Sequence, residues 1–550
     1  MILSRLRTLE SWSIRRWWLV AAVFMVCWYG LAIGLKQTAV IQDQRIFWLQ
    51  DDMMISMRYA HNFAAGHGLT WNAGGERVEG FSNFAWVMVM TTVHLLPISP
   101  TMTSFVILFL NILLALWVLW LVARLIKRLR PDATWEVPAV LLTLTVIVEM
   151  ARWTTIGLEN TLQTAVFLWL LLQFLPTSNQ QPLPTFTLAR HFFLAGLLGI
   201  LRIDGLLLIG VLTLVALWLH SNKKQVLVLS LLSLVLPLLL LLFRLTYYGY
   251  PLPNTYYLKL AGWDQRWWPG LLYAVRFLRN YGFVWLLAAR GSWRSRDQQV
   301  QALWLIGLPF LAYGIYTGGD DFGGFRFFSA WIPILLVLAF LAPRWLGWEK
   351  RPFLHLTTLT TLILLVGLLN GYPFWQPSDA TATEKRLIQA GLTLNKIATP
   401  TTVIGHFWAG MLPYFADRPA VDLLGKNDAY IARLPSRPDG TKPGHNKFDF
   451  TYSLGTLQPD LIVGILHPSQ IDTPEKLSRY TAGDDAYAGE IFHHSMFQQN
   501  YAPNLLFIGD ATIYIRADSP TRSQLMQGDC LQVEEAYFQA LGFETVCVMQ

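Results

Sequence analysis

The feature that most constrains this sequence is a series of long apolar stretches, separated by short basic clusters, within residues 1–371. Hydrophobic residues make up 54% of the chain and charged residues only 14%, whereas a soluble protein has about 25% charged residues. So few charges exclude a disordered, nucleic-acid-binding or ordinary cytosolic protein. The sequence therefore predicts a polytopic α-helical membrane protein whose main partner is the lipid bilayer.

The positions of lysine and arginine predict how the chain crosses the bilayer. The first apolar stretch, at 17–35, has no cleavage site after it and follows a basic cluster of Arg5, Arg7, Arg15 and Arg16. Because basic residues concentrate on the cytoplasmic side, we expect a cytoplasmic N-terminus in the cell membrane. The basic residues at 124–130 then favour an interfacial helix at 81–98 over a span. This reasoning predicts 11 spans: 17–35, 104–122, 137–150, 162–175, 192–201, 205–219, 226–243, 281–289, 302–316, 327–342 and 353–369. The stretch 244–280 is predicted to be an external loop that contains an amphipathic helix at 267–280.

The last apolar stretch divides the chain into two predicted domains, 1–371 and 372–550. The first has 29 Lys and Arg against 16 Asp and Glu, and the second has 13 against 19. An odd number of spans places the tail outside the cytoplasm, where its apolar runs at 401–408, 460–466 and 504–517 predict a small α/β domain. In such a tail Cys530 and Cys547 could form a disulfide, and two unpaired thiols are equally compatible with the sequence.

The first predicted external loop, 37–103, contains the strongest candidate for a catalytic group. Asp51 and Asp52 are adjacent, so their charges repel and one carboxylate should have a raised pKa unless a cation compensates. A carboxylate with a raised pKa suits a general base that takes a proton from a sugar hydroxyl. The alternative is that either aspartate caps the helix that follows. Arg58 and Tyr59 follow at helical spacing and could place a cation on the same face, which favours the catalytic interpretation.

Further polar residues fall where the predicted topology brings helix ends to the outer surface. Singly, each fits a snorkelling charge, an interfacial residue or a loop cap. Together they fit a reaction in which a base activates a hydroxyl while cations hold a phosphate leaving group. They are Glu159, Arg202, Asp204, Asn254, Tyr256, Lys259, Asp320, Asp321 and Arg326 in the membrane domain, and Asp422, Asn427, Asp428 and His445 in the tail.

Known cofactor motifs are missing from the sequence. It contains no HExxH metal motif, no P-loop and no GxGxxG fingerprint, so we expect neither ATP nor a dinucleotide. A transporter would place ionisable groups at mid-membrane and often show inverted repeats, and neither is found in the sequence.

Six segments in order resemble the GT-C membrane glycosyltransferases, and most of all the branch of bacterial terminal β-1,2-arabinofuranosyltransferases. The resemblance covers nearly all of residues 17–450. Ile203 and Lys426 depart from the residues expected there, a proline and an apolar residue. The segments are "DDMMISMRYAHNFAAGHGLTWNAGGERVEGFSNFAW", "GLENT", "LRIDG", "YYGYPLPNTYYLK", "GGDDFGGFRF" and "DLLGKNDAYIA".

The resemblance implies an inverting transferase that moves arabinofuranose from a polyprenyl-phosphate donor to a cell-envelope glycan outside the cytoplasm. Asp51, with Asp52 beside it, is then the base, and a divalent cation bridged by the two is an alternative. Arg58, Arg202, Lys259 and Arg326 are implied for the lipid phosphate. Sugar or acceptor contacts are expected from the remaining polar residues. A relative that transfers mannose, another hexose or aminoarabinose, a lipid-linked sugar transporter, and a binding protein without turnover are the alternatives.

Overall fold

The computed structural model describes residues 13–176, 183–259, 263–320, 324–347, 352–369, 379–437, 443–466, 468–481 and 485–549. Among the described residues up to 369, the regular elements are helices and one short hairpin, joined by loops. The helices are α1 (Ile14–Lys36), α2 (Asp51–Ala64), α3 (Phe84–His94), α4 (Pro100–Leu129), α5 (Glu136–Val146), α6 (Val148–Thr155), α7 (Asn160–Phe174), α8 (Thr185–Leu201), α9 (Gly205–Leu219), α10 (Lys223–Ser230), α11 (Val235–Tyr247), α12 (Asn254–Lys259), α13 (Trp263–Ser295), α14 (Gln298–Leu305), α15 (Gly307–Thr317), α16 (Ile332–Trp345) and α17 (Pro352–Leu369).

Several of these helices have the length and composition of membrane spans. Among the described residues four qualify, Ile14–Lys36, Pro100–Leu129, Lys223–Tyr247 and Gln298–Thr317. Helices α5 and α6 form a fifth candidate that is bent by 53°, and α3, α8, α9 and α16 are shorter apolar helices. The fold is that of a membrane protein, as the sequence predicted, while the count of 11 spans and the orientation remain predictions.

Some helix boundaries differ from those predicted. The amphipathic helix at 267–280 and the span at 281–289 are one continuous helix, α13, because no helix-breaking residue separates them. The predicted span at 327–342 begins with a 3₁₀ turn, Arg326–Phe328, and becomes α-helical only at Ile332. Arg244, placed in an external loop by the sequence, lies in α11. Its guanidinium forms a buried ion pair with Glu79 at 2.7 Å.

The first external loop folds against the ends of these helices. Strands β1 (Thr38–Ile41) and β2 (Gln44–Phe47) form an antiparallel hairpin that leads into α2. Helix α3 covers part of the predicted interfacial segment 81–98, and its buried residues include Trp86, Val87 and Met90. The loop therefore packs as part of the helical core.

The tail contains a seven-stranded mixed sheet. Its strands are β3 (Ile404–His406), β4 (Ala420–Asp422), β5 (Leu461–Val463), β6 (Asn504–Ile508), β7 (Ala511–Ile515), β8 (Asp529–Gln532) and β9 (Thr545–Met549), in the order β4-β3-β5-β7-β6-β9-β8. Each of the three apolar runs predicted from the sequence contains at least one strand. Two apolar cores flank the sheet, one with Phe492 and Tyr514 and the other with Leu387 and Leu506.

Short helices connect the strands of the tail. They are α18 (Asp379–Ile397), α19 (Met411–Ala416), α20 (Ala429–Arg433), α21 (Pro474–Ser478), α22 (Tyr487–His493), α23 (Ser495–Asn500), α24 (Arg522–Leu525) and α25 (Ala536–Ala540). Residues of α18 and α19, including Ile388, Met411 and Phe415, belong to the same apolar core as the membrane helices. The tail is therefore packed directly onto the first external loop.

Candidate active site

Asp51 and Asp52 form the first turn of α2, at the interface between the first external loop and the tail. The N-cap residue is Gln50, whose side chain makes no capping hydrogen bond, so the capping role considered for the aspartates is wrong. Instead the backbone N–H of Met411 donates to Asp51 Oδ1 at 2.8 Å. The ammonium of Lys426 pairs with Asp52 Oδ1 at 2.5 Å. Both partners come from the tail, so the tail completes the surroundings of the acidic pair.

The pKa values of the two carboxylates are shifted in opposite directions from the usual value of an aspartate. Burial raises the pKa of Asp51, the charge of Lys426 opposes that shift, and the result is about 6. Burial also raises the pKa of Asp52, but Lys426 and then Lys259 lower it more strongly, to well below its usual range. Asp51 is therefore a basic carboxylate and Asp52 a permanently ionised one, the division expected of a catalytic pair with distinct roles.

Cations converge on the Asp52 side of the pair. Lys259 and Arg326 both interact electrostatically with Asp52, and Arg326 Nη2 forms an ion pair with Asp320 Oδ1 at 2.7 Å. Lys259 is exposed to solvent beside the tail, where a Cβ on Gly444 would lie 3.5 Å from its Cε. Together with Lys426 these residues form a cationic cluster suited to a phosphate. Asp321, predicted to lie beside Asp320, is outside the described residues.

Lys426 is the main site residue that the sequence did not identify. It appeared only as a departure from the apolar residue expected in "DLLGKND". A charged side chain in an otherwise apolar segment was the available signal, but its partner Asp52 is separated from it by 374 positions in sequence. Only the packing of the tail on the loop shows the pair.

Arg202, Glu159 and Asp204 form a second, buried ionic cluster. Arg202 donates from Nη1 to Glu159 and from Nε to Asp204 Oδ1, the latter at 2.9 Å. Two amides complete the cluster, since Asn83 donates to Glu159 and Gln163 donates to Asp204. Because the guanidinium is buried between two carboxylates, this cluster fixes helix ends rather than presenting a cation to a phosphate. That differs from the phosphate role predicted for Arg202.

Arg58 is also engaged in holding the structure together. Its Nε donates to the carbonyl of Trp71 at 2.6 Å, and its Nη2 donates to the side chain of Asn72 and to the carbonyl of Arg418. Its Nη1 donates to the carbonyl of Pro413. These bonds tie α2 and the loop to the tail, so the donors of Arg58 are used within the protein, and its role at the phosphate stays a prediction.

The polar residues predicted for acceptor contacts around 422–428 mostly shape the turn that carries Lys426. Asp422 accepts hydrogen bonds from the backbone N–H groups of Leu424, Gly425 and Asn427. From the other side, Asn254 Nδ2 donates to the carbonyls of Gly425, Lys426 and Asp428. The turn is therefore held by side chains from both domains, and these residues position Lys426.

The other predicted acceptor residues lie around this turn. Asp428 caps α20, accepting from the N–H of Ile431 at 2.8 Å. Tyr256 is 41% exposed on α12. His445 lies farther into the tail, with its ring 5.7 Å from that of Tyr487. No group of three or more His, Cys, Asp or Glu residues among the described residues could hold a metal ion.

Glu384 is a second residue that the sequence did not identify. It lies on α18 and accepts a hydrogen bond from Trp48 Nε1 at 3.0 Å. Burial raises its pKa to about 8, and the charge of Asp51 contributes to the same shift. A protonated carboxyl group therefore stands near the acidic pair at neutral pH. In the sequence, Glu384 looks like any acid on an amphipathic helix.

Comparisons with known proteins agree with this architecture. The structure of ArnT from Cupriavidus metallidurans bound to undecaprenyl phosphate is similar over 92% of this chain and 98% of that chain, with a TM-score of 0.55 and 12% identity. The Archaeoglobus fulgidus oligosaccharyltransferase is similar over 93% and 75%, with a TM-score of 0.50 and 10% identity. The chain has a GT-C fold. The resemblance predicted from the sequence is therefore confirmed at the level of the fold.

Sequence comparison gives two further matches, each of which covers part of the chain. A terminal β-(1→2)-arabinofuranosyltransferase of Mycobacterium tuberculosis (strain ATCC 25618 / H37Rv) is 29% identical over 252 residues, which cover 44% of this chain. The match spans only 39% of that relative's length. A family described as a domain of unknown function, DUF8728, matches residues 377–514, within the tail.

Proposed function

We propose that this protein is an inverting glycosyltransferase that moves a sugar from a polyprenyl-phosphate donor to a glycan of the cell envelope. The observation that carries the proposal is the divided pair Asp51 and Asp52, one basic and one ionised, beside a cluster of cations in a GT-C fold. A base next to a phosphate-binding cluster provides the two functions that sugar transfer from a lipid phosphate requires.

The proposed reaction is a direct displacement at the anomeric carbon. Asp51 takes the proton of the acceptor hydroxyl as that oxygen forms a bond to the anomeric carbon. The bond between this carbon and the phosphate oxygen breaks, and its electron pair leaves with the polyprenyl phosphate. Lys426, Lys259 and Arg326 stabilise the charge that develops on the phosphate. Because attack and departure are on opposite faces, the anomeric configuration inverts.

The acidic pair also bears on the alternative of a bridging divalent cation. Asp51 accepts from the amide of Met411, whereas Asp52 is paired with Lys426. A cation could replace Lys426 as the partner of Asp52 only if the ammonium moved away. We therefore propose that lysine and arginine, not a metal ion, neutralise the leaving phosphate.

For the transferred sugar we propose arabinofuranose. The support is the Mycobacterium tuberculosis relative, a terminal arabinofuranosyltransferase by name, which matches 44% of this chain. The structural similarity to ArnT supports a polyprenyl-phosphate lipid in a GT-C fold, since that protein was solved with undecaprenyl phosphate. Transfer of a hexose or of aminoarabinose is the second candidate.

We further propose that the tail and the active site lie outside the cytoplasm. In the structure Cys530 and Cys547 form a disulfide between the paired strands β8 and β9. Structural disulfides persist in oxidising compartments and are rare in the cytosol. The distribution of basic residues along the sequence supports the same orientation.

A donor screen with the purified full-length protein tests the function. Polyprenyl-phosphate arabinofuranose, mannose and aminoarabinose are each offered with a glycan acceptor, and released lipid phosphate and product linkage are measured. We expect turnover with the arabinofuranosyl donor. Equal use of hexosyl donors would overturn the sugar assignment. Absence of turnover with every donor would overturn the proposed glycosyltransferase activity.

A further inference from the structure

A surface of aromatic and charged side chains lies where the first loop, the loop before α12 and the tail meet. We call it the seam surface and define it by Glu76, Tyr250, Tyr430, Arg433, Asp449 and Tyr452. Tyr430 is 48% exposed and Tyr250 is 43% exposed, far more than a tyrosine that only fills a core. The role proposed for the acidic pair uses none of these six residues.

Tyr430 and Tyr452 form the centre of the seam surface. Their ring centroids are 4.3 Å apart, and each hydroxyl is held by a carboxylate. Tyr430 donates to Asp449 Oδ2 and Tyr452 donates to Asp428 Oδ2, both at 3.2 Å. The hydrogen bonds fix both rings, so one face of Tyr430 is presented to solvent in a defined orientation.

Arg433 forms the adjoining part of the seam surface. Its guanidinium lies 3.9 Å from the ring centroid of Tyr250 and 4.6 Å from that of Tyr257. Nη1 donates to Asn254 Oδ1 at 3.0 Å, which fixes the guanidinium in that position. Glu76 of the first loop interacts electrostatically with Arg433 and with Asp428. One stacked, pre-oriented guanidinium and the carboxylates of Asp449 and Glu76 thus belong to the same surface as the exposed rings.

We infer that the seam surface binds the acceptor glycan, which carries the hydroxyl that the active site uses. Sugars have apolar C–H faces that pack on aromatic rings and hydroxyls that pair with carboxylates and guanidinium groups. Asn254 links the surface to the active site, because it accepts from Arg433 and donates to the carbonyl of Lys426. Even a fully extended chain spans only about 14 Å over four residues, so Tyr430 also lies near Lys426, the partner of Asp52, along the backbone.

Two other occupants would use similar residues, and the seam surface fits them less well. A membrane-interface belt would expose tyrosine rings without tying their hydroxyls to carboxylates. A protein partner would favour a larger apolar centre than these rings provide. The mixture of rings, carboxylates and one stacked guanidinium fits a neutral polyhydroxyl ligand best.

This inference rests on the proposed transferase function, and a binding experiment separates the two. The full-length Asp51→Asn protein is titrated with short arabinan and mannan oligosaccharides by calorimetry, without donor and without turnover. We expect Tyr430→Ala in this background to weaken oligosaccharide binding by about tenfold or more. Tyr430→Phe keeps the ring and should bind almost as well as the parent. Tyr316→Ala removes a tyrosine that is 59% exposed on α15 and serves as the matched control.

Kinetics in the otherwise unmutated protein provide the second measurement. Tyr430→Ala should raise the KM for the acceptor by a similar factor and leave the KM for the donor unchanged. Should Tyr430→Ala fail to fold, Tyr250→Ala takes its place in both experiments. Equal oligosaccharide affinity in Tyr430→Ala and Tyr316→Ala, or binding of no oligosaccharide by the parent, would overturn the inference. Absence of turnover with every donor would instead overturn the proposed function.

Discussion

At the scale of single residues, the environment of Asp51 determines what this site can do. Burial raises its pKa to about 6, so at neutral pH it is mostly ionised yet a stronger base than an exposed aspartate. Asp52 forms an ion pair with the ammonium group of Lys426, which keeps the carboxylate ionised. The two neighbours are chemically different although the sequence presents them as equivalent.

Replacing the base tests its role directly. Asp51→Asn removes the proton acceptor and should lower kcat by about a hundredfold or more, with donor binding retained. Donor binding is measured by titration with the lipid-linked sugar, and kcat by release of lipid phosphate. Asp43→Asn changes an exposed aspartate in the β1–β2 turn and should retain full activity. Full turnover of Asp51→Asn would exclude the proposed base.

The pH dependence of the reaction follows from the same pKa. The base must be ionised, so kcat/KM should fall as the pH drops below about 6 and level off above it. Lys426 lowers the pKa of Asp51, so Lys426→Met should move this acid limb to higher pH. Lys396→Met, which removes an exposed lysine of α18, should leave the limb in place. An unmoved limb in Lys426→Met would argue against Asp51 as the titrating group.

Glu384 gives a prediction on stability. Its folded-state pKa of about 8 lies above the unfolded value, so folding binds a proton and stability is lost as the pH rises between about 4.5 and 8. Glu384→Gln keeps an oxygen for Trp48 without that proton uptake. It should raise the free energy of unfolding at neutral pH by up to about 3 kcal/mol, which is measured as a higher thermal midpoint. Glu384→Ala removes the acceptor and should instead lower the midpoint.

At the scale of elements, the tail segment before α19 fixes the start of α2. Gly410 lies so close that a Cβ there would be 1.9 Å from the backbone oxygen of Asp51 and 2.8 Å from its Oδ1. The next residue, Met411, donates its backbone N–H to the same carboxylate. A glycine is required at this position by close approach of two backbones rather than by an unusual φ angle.

Enlarging that glycine should disturb the base without removing it. Gly410→Ala should push the α2 terminus away from the tail and lower kcat at least tenfold, while circular dichroism shows a folded helical protein. Gly34→Ala is the matched control, because a Cβ at Gly34 meets no atom within 4 Å. Equal kcat in the two variants would mean that the contact does not position Asp51.

At the scale of the whole molecule, the tail joins the membrane domain through the site itself. The turn at 422–428 follows β4 at one edge of the sheet, whereas the disulfide-bonded strand β8 is at the other. Loop, membrane helices and tail share buried residues in one apolar core. Loss of the tail would therefore remove Lys426 and expose the acidic pair to water.

The disulfide provides a test at this scale. Alkylation of the purified protein without reductant should label Cys27 and leave Cys530 and Cys547 unmodified until reduction, as read by intact mass. The double variant Cys530→Ser and Cys547→Ser should lower the stability of the tail by about 3 kcal/mol. Activity at low temperature should persist, because the acidic pair contacts the turn after β4, at the edge of the sheet opposite to the disulfide. Labelling of all three cysteines before reduction would contradict the pairing.

The sequence by itself determined the membrane class of the protein, because so many apolar stretches with so few charges are typical of membrane spans. It also placed strands in the tail and pointed to Asp51 and Asp52, since local pattern and adjacent charges suffice for both. It wrongly predicted two helices, at 267–280 and 281–289, where the structure has one. An amphipathic segment and an apolar segment can form a single helix without a break.

Only the tertiary structure decided which polar residues act together. Arg58 and Arg202 matched the pattern of phosphate ligands, yet their donors are used by Trp71, Asp204 and other buried partners. Lys426 looked like an anomaly and is the partner of Asp52. The physical reason is that an ion pair depends on distance in space, and these partners are brought together by the packing of the tail on the loop.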